Sequence, residues 1–203
     1  MNPQPTSDFE QFCQSYSVWI LQYNSDTLKN PVFLIWYDDM YEDNINKLLT
    51  FRSGQVFSTT DLPNIKSHLD AHISDLLTMG KIDPWINKLD QFQPTADVTY
   101  DIDVLCNAIK SKQLNASTLN DLTNFINLFD DLLCQDPQYK HLNTYRENEY
   151  VQAAWQYYYD YIFWPKFNDP EKDKTWKRPA LKIDHLKLLE GVLAMKAEFE
   201  KSL

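Results

Sequence analysis

The sequence predicts an α+β fold, with a small N-terminal antiparallel sheet followed by a predominantly helical C-terminal part. Short runs of β-branched and aromatic residues, separated by turn residues, fill the first sixty positions. From Thr60 onward, apolar residues recur at spacings of three and four, which is the pattern of one helix face. Strands that precede helices, without regular alternation of the two, are typical of this class.

We expect one domain over residues 1–203, made of a β-rich meander in residues 1–60 and helices in residues 61–203. A chain of 203 residues is long enough to bury one substantial core. The sequence has no internal repeat and no low-complexity tract, and no change in composition divides it into separate domains.

Strands of the meander are expected at residues 16–23, 32–37, 48–52 and 55–59. The first of these runs could instead be helical. Ser53 and Gly54 separate the last two runs, and this pair favours a two-residue hairpin turn. One further short strand is expected at residues 98–100.

Helix starts are predicted from capping residues. Thr118 and Thr144 each begin a capping-box pattern, with an acidic residue three positions later. Asp184 can cap the last helix, in which we expect a buried stripe. Pro165 is expected to end the aromatic helix that precedes it. The predicted stripe of the last helix consists of Leu186, Leu189, Leu193 and Phe199.

The net charge of −10 argues against direct binding to nucleic acid, which needs a surface rich in Lys and Arg. The charge is uneven, because residues 1–163 have a net charge of −12 and residues 164–203 one of +2. Two interpretations remain open for the acidic part. It can keep the protein soluble, or it can bind a basic protein.

The residue types argue against several kinds of enzyme. Three glycines, far apart in the chain, cannot form a dinucleotide fingerprint or a P-loop. No nucleophile motif accompanies Cys13, Cys106 or Cys134. We therefore expect neither a cofactor nor an enzymatic activity.

The three cysteines are odd in number and form no C-x-x-C pair, which is typical of free thiols in a reducing compartment. The N-terminal residues lack the basic and apolar segments of a secretory signal. No apolar run reaches the ~20 residues of a membrane span. These features predict a cytoplasmic protein with no membrane partner.

His68 and His72 are the basis of an alternative function, a hydrolase or metal-dependent enzyme. Their spacing of four residues on a helix can chelate a metal together with a nearby carboxylate, such as that of Asp75. However, Leu69 occupies the position where the zincin motif has its catalytic glutamate. Surface or structural histidines explain the same pattern.

The helix over residues 147–164 is the most aromatic part of the chain. Successive residues on a helix point about 100° apart, so Tyr157 and Tyr159 cannot both enter the same core. Tyr and Trp are frequent in binding hot spots, and we predict that these two tyrosines contact a partner. Packing on two sides within the domain, or formation of an oligomer through this helix, would use the same residues.

Four acidic residues lie between the second and third predicted strands, with two residues suited to interfaces beside them. The segment lacks the alternating acids and the central glycine of a calcium loop. We expect its carboxylates to be exposed and ionised, either in a solvated turn or in a docking loop for a basic protein. The predicted partner-binding residues here are Asp38, Asp39, Tyr41, Glu42 and Asp43.

The N-terminal part resembles the immunity proteins of bacterial contact-dependent growth inhibition and related toxin systems. The likeness covers roughly residues 16–75 and includes the run LTFRSGQVFSTTD that begins at Leu49. The resemblance implies a binding protein that neutralises a cognate toxin in the producing cell. Such toxins are often nucleases, an RNase or a DNase, whose basic active cleft the immunity protein covers.

Overall fold

The structure is a computed structural model that describes residues 8–39, 45–78 and 80–203. The chain divides into two compact units. The first comprises Met1–Asp101 together with Ser202–Leu203, and the second comprises Ile102–Lys201. The sheet lies in the first unit and most of the helical residues lie in the second, which confirms the α+β class. The expected single domain stays a prediction.

The first unit contains three helices and a mixed sheet of five strands among its described residues. A 3₁₀ turn, Leu89–Gln91, follows the third helix. The helices are α1 (Asp8–Tyr16), α2 (Ile65–His72) and α3 (Ile82–Lys88). The strands are β1 (Val18–Asn24), β2 (Val32–Asp39), β3 (Ile45–Leu48), β4 (Ser58–Thr59) and β5 (Val98–Asp101).

The strand order is β3-β2-β1-β5, and β4 pairs with β2. The pairs β1–β2 and β2–β3 are antiparallel, as in the predicted meander. Strand β4 also pairs antiparallel with β2, whereas a meander would pair it with β3. The pair β1–β5 is parallel, so the sheet is mixed rather than wholly antiparallel. Two helices, α2 and α3, lie between β4 and β5. They return the chain to the edge of the sheet beside β1, as a parallel connection requires.

The predicted hairpin after the third run is present, but its loop has three residues. The N–H of Phe51 donates to the carbonyl of Gln55 at 2.8 Å, and Thr50 pairs with Val56. Gly54 has a φ of 90°, a left-handed conformation that glycine adopts without steric cost. A three-residue loop that ends in such a residue is the next most common hairpin type after the two-residue loops.

The core of the first unit lies between one face of the sheet and the helices α1, α2 and α3. Trp85 of α3 and Ile20 of β1 are fully buried in it. On β2 the core-facing residues alternate, so Ile35 and Tyr37 point inward and Asp39 continues the same face. Asp39 is therefore buried, although the sequence predicted that it is exposed.

The second unit consists of helices packed on one another. They are α4 (Ile102–Lys110), α5 (Ala116–Gln135), α6 (Asn143–Arg146), α7 (Glu149–Tyr158), α8 (Trp164–Asn168), α9 (Pro170–Thr175) and α10 (His185–Lys201). A 3₁₀ turn, Pro137–Leu142, precedes α6, and a π-helical turn, Tyr159–Phe163, joins α7 to α8. Within the described ranges, no helix is both long enough and apolar enough to span a membrane.

Two capping predictions are wrong by about one turn. The side chain of Asn115, not that of Thr118, caps α5 by accepting from the N–H of Thr118 at 3.0 Å. Asn148 caps α7 in the same way, with N–H donors at Tyr150 and Val151. Asparagine is as good an N-cap as threonine or better, so each helix begins at the residue that reaches its free N–H groups.

Helix α10 packs on α4 and α7, and α5 packs on α7. The predicted buried stripe of α10 is partly wrong, because Leu186 and Leu193 are 66% and 43% exposed. Phe199 is buried as predicted. The other residues of the observed stripe are Leu188, Val192 and Met195.

Candidate functional site

The predicted acidic segment begins on a strand. Asp38 and Asp39 are the last two residues of β2, two positions beyond the predicted end of that strand. Tyr41, Glu42 and Asp43 lie outside the described residues. Tyr157 and Tyr159 belong to the second unit, so the predicted partner-binding residues are divided between the two units.

The expectation that all these acids are exposed is wrong for Asp39, which is 2% exposed. Its Oδ2 accepts a hydrogen bond from Nζ of Lys47 on β3 at 2.9 Å, and the Lys47 side chain is buried as well. Tyr37 is the register partner of Lys47, so Asp39 is its diagonal neighbour on the same face of the sheet. Burial follows because β2 continues its core-facing alternation through position 39.

Asp38 points to the other face of β2 and is half-buried. Its backbone N–H donates to the carbonyl of Ser17 at 3.0 Å, which holds the end of the strand in place. Among the described residues, its buried Oδ1 has no hydrogen-bond partner. Asp38 is therefore only partly accessible, which also departs from the expected exposure.

The aromatic helix does not end at Pro165, contrary to the prediction. The N–H of Trp164 donates to the carbonyl of Tyr159, five residues back, which is the π-helical pattern. Pro165 has no N–H to donate to the carbonyl of Tyr161, four residues back. Nε of Arg178 donates to that carbonyl at 2.8 Å instead. The helix therefore changes its hydrogen-bond pattern and continues into α8.

Four rings follow one another along this continuous helix, and we call them the aromatic row: Trp155, Tyr159, Phe163 and Phe167. The ring centroids of successive members lie 4.6, 5.4 and 6.0 Å apart. Side chains four positions apart are neighbours on a helix, and the rings support one another. The row is a preformed aromatic surface.

Helix α5 fixes the first two rings of the row. Nε1 of Trp155 donates to Oδ1 of Asn127 at 2.9 Å, and Nδ2 of Asn127 donates to the Tyr159 hydroxyl at 3.1 Å. The guanidinium of Arg146 binds both carboxylate oxygens of Asp130 at 3.2 Å and lies 5.7 Å from the Trp155 ring. We call these five half-buried residues the α5–α7 face.

Tyr157 lies apart from that face. Its hydroxyl donates to the carbonyl of Pro179 at 2.7 Å, and its ring lies 5.1 Å from that of Tyr161. Between the two predicted tyrosines, Tyr158 is buried and donates to Oδ1 of Asn120 at 2.5 Å. Burial raises the pKa of Tyr158. Tyr157 and Tyr159 thus have different surroundings, and the geometry does not bring them together.

The surroundings of the α5–α7 face are acidic. Residues 116–163 contain seven acidic and two basic residues. Asp160 is exposed and follows Tyr159 directly, and its carboxylate accepts from Gln156 at 3.0 Å. Asp121 is exposed, and its negative charge contributes to raising the pKa of Tyr158. The face can therefore attract a basic surface.

The histidines of the enzyme alternative lie on α2 in the first unit. Nε2 of His68 lies 3.8 Å from Oδ2 of Asp61, and the ring of His72 makes an edge contact with Phe51. A hydrogen bond from Asn64 is the main reason why the pKa of Asp61 is lowered. Within the part of the chain that the structure describes, no three His, Cys, Asp or Glu side chains form a group that could hold a metal.

The comparisons with family models, with curated proteins and with solved structures found no match for this chain. The resemblance to immunity proteins, the absence of an enzymatic activity and the identity of a partner therefore stay predictions.

Sequence reasoning missed the polar half of the α5–α7 face. Asn120, Asn124, Asn127 and Asp130 recur at spacings of four and three along α5, opposite its apolar stripe. Such a polar stripe is usually read as a solvated surface. Polar residues that recur at helical spacing, together with an aromatic helix elsewhere in the chain, could have indicated that this side of α5 also packs against another helix.

Proposed function

We propose that this chain is an immunity-type binding protein of the cytoplasm, which captures a basic, nuclease-type toxin and covers its active cleft. The α5–α7 face is the observation that carries the proposal. Trp155 and Tyr159 are held by Asn127 before any partner arrives, at 2.9 and 3.1 Å. Rings that are already ordered lose little conformational entropy on binding, which favours affinity.

The residue types of the face also support a binding role. Trp, Tyr and Arg are the residues most enriched in hot spots of protein interfaces. The face combines one of each, with Arg146 held against Trp155 by its bidentate pair with Asp130. A partner would therefore meet side chains that are already held in place.

The charge of the chain supports a basic partner. Acidic residues around the face, among them Asp121 and Asp160, would accelerate the encounter with a Lys/Arg-rich cleft. Because such steering is screened by ions, the association rate should fall as the salt concentration rises.

Co-expression with the products of the neighbouring reading frames tests the proposal. We expect one of them to be toxic alone, and to copurify with this chain and lose its toxicity when the two are produced together. If neither flanking product forms a complex with this chain, and neither is neutralised by it, the proposed function is wrong.

The contribution of the face can be tested in that complex. We expect Trp155→Ala to weaken binding about 30-fold or more, because hot-spot truncation costs about 2 kcal/mol or more. The exposed apolar residue Leu186 on α10 provides a control, and Leu186→Ala should leave the affinity unchanged. Circular dichroism establishes that both variants are folded, and equal affinities would place the interface elsewhere.

Charge variants test the steering. We expect Asp121→Asn with Asp160→Asn to lower the association rate and the salt slope. The matched control is Asp83→Asn with Asp90→Asn, which removes the same charge from exposed positions on α3 and the following turn. An equal effect of both pairs would mean that only the net charge matters.

The acidic segment requires a separate set of variants. Asp38, Glu42 and Asp43 can be replaced by Asn or Gln, whereas Asp39 should be left intact because its carboxylate is buried against Lys47. A lower association rate would assign the segment to the interface. An unchanged rate and salt slope would remove the segment from the interface without touching the role of the α5–α7 face.

A further inference from the structure

Beyond the α5–α7 face, the end of the aromatic helix carries a second surface of a different character. Three large rings are exposed there: Trp164 by 47%, Phe167 by 70% and Trp176 by 37%. Phe167 is the most exposed of the large apolar side chains in the described part of the chain. We call this region, residues 164–182, the distal surface.

The rings of the distal surface are held outward by one another. Phe167 stacks on Phe163 with an interplanar angle of 8°, and Trp164 makes an edge contact with Phe167 at 5.9 Å. Trp176 lies 6.0 Å from Tyr161. These contacts leave a large part of each ring exposed.

Hydrogen bonds fix the connector that carries Trp176. Arg178 donates to the carbonyl of Tyr161 at 2.8 Å and to the carboxylate of Asp173 at 2.6 Å. The Tyr157 hydroxyl donates to the carbonyl of Pro179 at 2.7 Å. Trp176 also shares with Pro165 the wall of a cavity of about 380 Å³. Helix α8 and the connector therefore present one surface.

The distal surface is basic in an acidic chain. Residues 164–182 contain six Lys or Arg and three Asp or Glu, while the whole chain has a net charge of −10. Two of the three acids are already paired, Glu171 with Lys174 and Asp173 with Arg178, both at 2.6 Å. The exposed lysines that no described ion pair involves are Lys166, Lys177 and Lys182.

We infer that the distal surface docks on an anionic lipid bilayer. Tryptophan is enriched at the boundary between water and hydrocarbon, and lysines near an anionic leaflet are attracted to it. Exposed aromatic side chains on a protein surface can enter the headgroup region.

The ring geometry favours a bilayer over single-stranded nucleic acid. Base stacking needs free ring faces along a basic groove, whereas one face of Phe167 already stacks on Phe163 and Trp164 makes an edge contact with the same ring. The inference departs from the expectation of no membrane partner. That expectation depended on the lack of a membrane-spanning segment, which peripheral docking does not require.

Vesicle co-sedimentation of the full chain tests the inference. The probes are vesicles of phosphatidylcholine alone and vesicles that also contain phosphatidylglycerol. We expect binding to the anionic vesicles only, and weaker binding as the salt concentration rises. Equal binding to both, or to neither, would overturn the inference.

Matched variants locate the contact. Replacing Lys166, Lys177 and Lys182 with Gln should weaken vesicle binding about a hundredfold, which is roughly fivefold for each lysine. The control replaces three exposed lysines elsewhere, Lys29, Lys110 and Lys140, and should have a much smaller effect. Equal effects of the two sets would mean that no particular surface docks.

The aromatic contribution is tested by Phe167→Ala, which should weaken vesicle binding about tenfold through the loss of buried apolar area. Leu186→Ala removes a similarly exposed apolar side chain and serves as the control. If a single-stranded oligonucleotide binds better than anionic vesicles and the Phe167 variant abolishes that binding, the lipid assignment is wrong.

The two proposals fail independently. The lysine variants of the distal surface, at Lys166, Lys177 and Lys182, should leave toxin binding unchanged, and Asp121→Asn with Asp160→Asn should leave the preference for anionic vesicles intact. Each surface therefore has a readout that the other does not affect.

Discussion

Asp39 shows how a residue's role depends on the strand that carries it. In the sequence it is one of four acids in a six-residue segment, and exposure is the natural expectation. On β2 it lies on the face of Ile35 and Tyr37, where its carboxylate pairs with Nζ of Lys47 at 2.9 Å. A buried charge pair contributes little net stability, but the loss of one partner is costly.

We predict that Lys47→Met destabilises the protein by about 3–5 kcal/mol, because it leaves the Asp39 carboxylate buried without its counter-ion. The double variant Asp39→Leu with Lys47→Met should recover most of that loss. Urea unfolding of the four proteins of this cycle measures both effects. A cost below about 1 kcal/mol for the single variant would show that water reaches the carboxylate.

Asp97 is a second carboxylate with an unusual environment. Burial raises its pKa, and the charge of Glu10 adds to the effect, while the N–H of Ile20 stabilises the ionised form from 3.1 Å. Because the folded pKa is raised, the native state binds a proton more readily than the unfolded state. The resulting stability is present below the unfolded pKa and is lost as the pH rises through the folded pKa.

We therefore predict that Asp97→Asn gains stability relative to the wild type as the pH rises from acidic to neutral values. The amide oxygen can still accept from Ile20, so the strand contact is kept. Unfolding free energies at several pH values measure the difference between the two proteins. A difference that does not change with pH would show that Asp97 has the same pKa in both states.

Cys13 is predicted to be inert toward thiol reagents in the folded protein. Burial is the main reason why its pKa is raised to about 12, so almost no thiolate exists at neutral pH. Cys134 is exposed and should react first in a time course of alkylation followed by mass spectrometry. Labelling of Cys13 at the rate of Cys134 without denaturant would contradict its burial.

At the scale of elements, the sequence predicts that a helix is present more easily than it predicts which face of the helix is buried. Helix α10 has leucines on several sides, so the pattern of Leu186, Leu189 and Leu193 competes with the pattern that ends in Phe199. The buried stripe is set by the neighbouring helices α4 and α7, which the sequence of α10 does not contain. Helices α10 and α7 approach each other closely at Gly191.

We predict that Gly191→Ala destabilises the protein by about 1 kcal/mol, although alanine is the better helix former. A Cβ at position 191 would lie 3.0 Å from Cγ2 of Val151 and 3.2 Å from the side chain of Asn148, which caps α7. Thermal unfolding measures the change. In a Val151→Ala background the same substitution should cost less, and a gain in stability in the wild-type background would mean that the helices move apart easily.

At the scale of the whole molecule, charge is the dominant property. The chain has a net charge of −10 and an isoelectric point of about 4.7. Mutual repulsion keeps such a protein dispersed at neutral pH and vanishes at the isoelectric point. The charge is not uniform, because the distal surface is basic while the α5–α7 face is surrounded by acids.

We predict a minimum of solubility near pH 4.7 at low salt. Static light scattering against pH measures it, and circular dichroism at the same pH separates association of the native protein from unfolding. If scattering shows no maximum near that pH, the exposed charges titrate very differently from those of the free residues.

The fold class could be predicted because it depends on local patterns. The β-branched runs became β1 and β2, the short strand at residues 98–100 became β5, and Asp184 caps α10 through its contacts with Leu186 and Lys187. The candidate site was predictable only in part. Tyr159 belongs to the α5–α7 face, but Asn127 and Arg146 reach it from elements that no local pattern connects to it.

The sequence by itself determined the α+β class, the net charge, the position of the aromatic helix and the positions of β1, β2 and β5, because each depends on neighbouring residues. The strands expected at residues 48–52 and 55–59 were placed wrongly, since β3 is Ile45–Leu48 and β4 only Ser58–Thr59. Only the tertiary structure decided that Asp39 is paired and buried, that Tyr157 and Tyr159 lie in different surroundings, and that Pro165 does not end the helix. These outcomes depend on hydrogen bonds from Lys47 to Asp39, from Tyr157 to Pro179 and from Arg178 to Tyr161, whose partners lie 8, 22 and 17 positions apart in the sequence. The physical reason is that burial and pairing are set by residues brought together in folding.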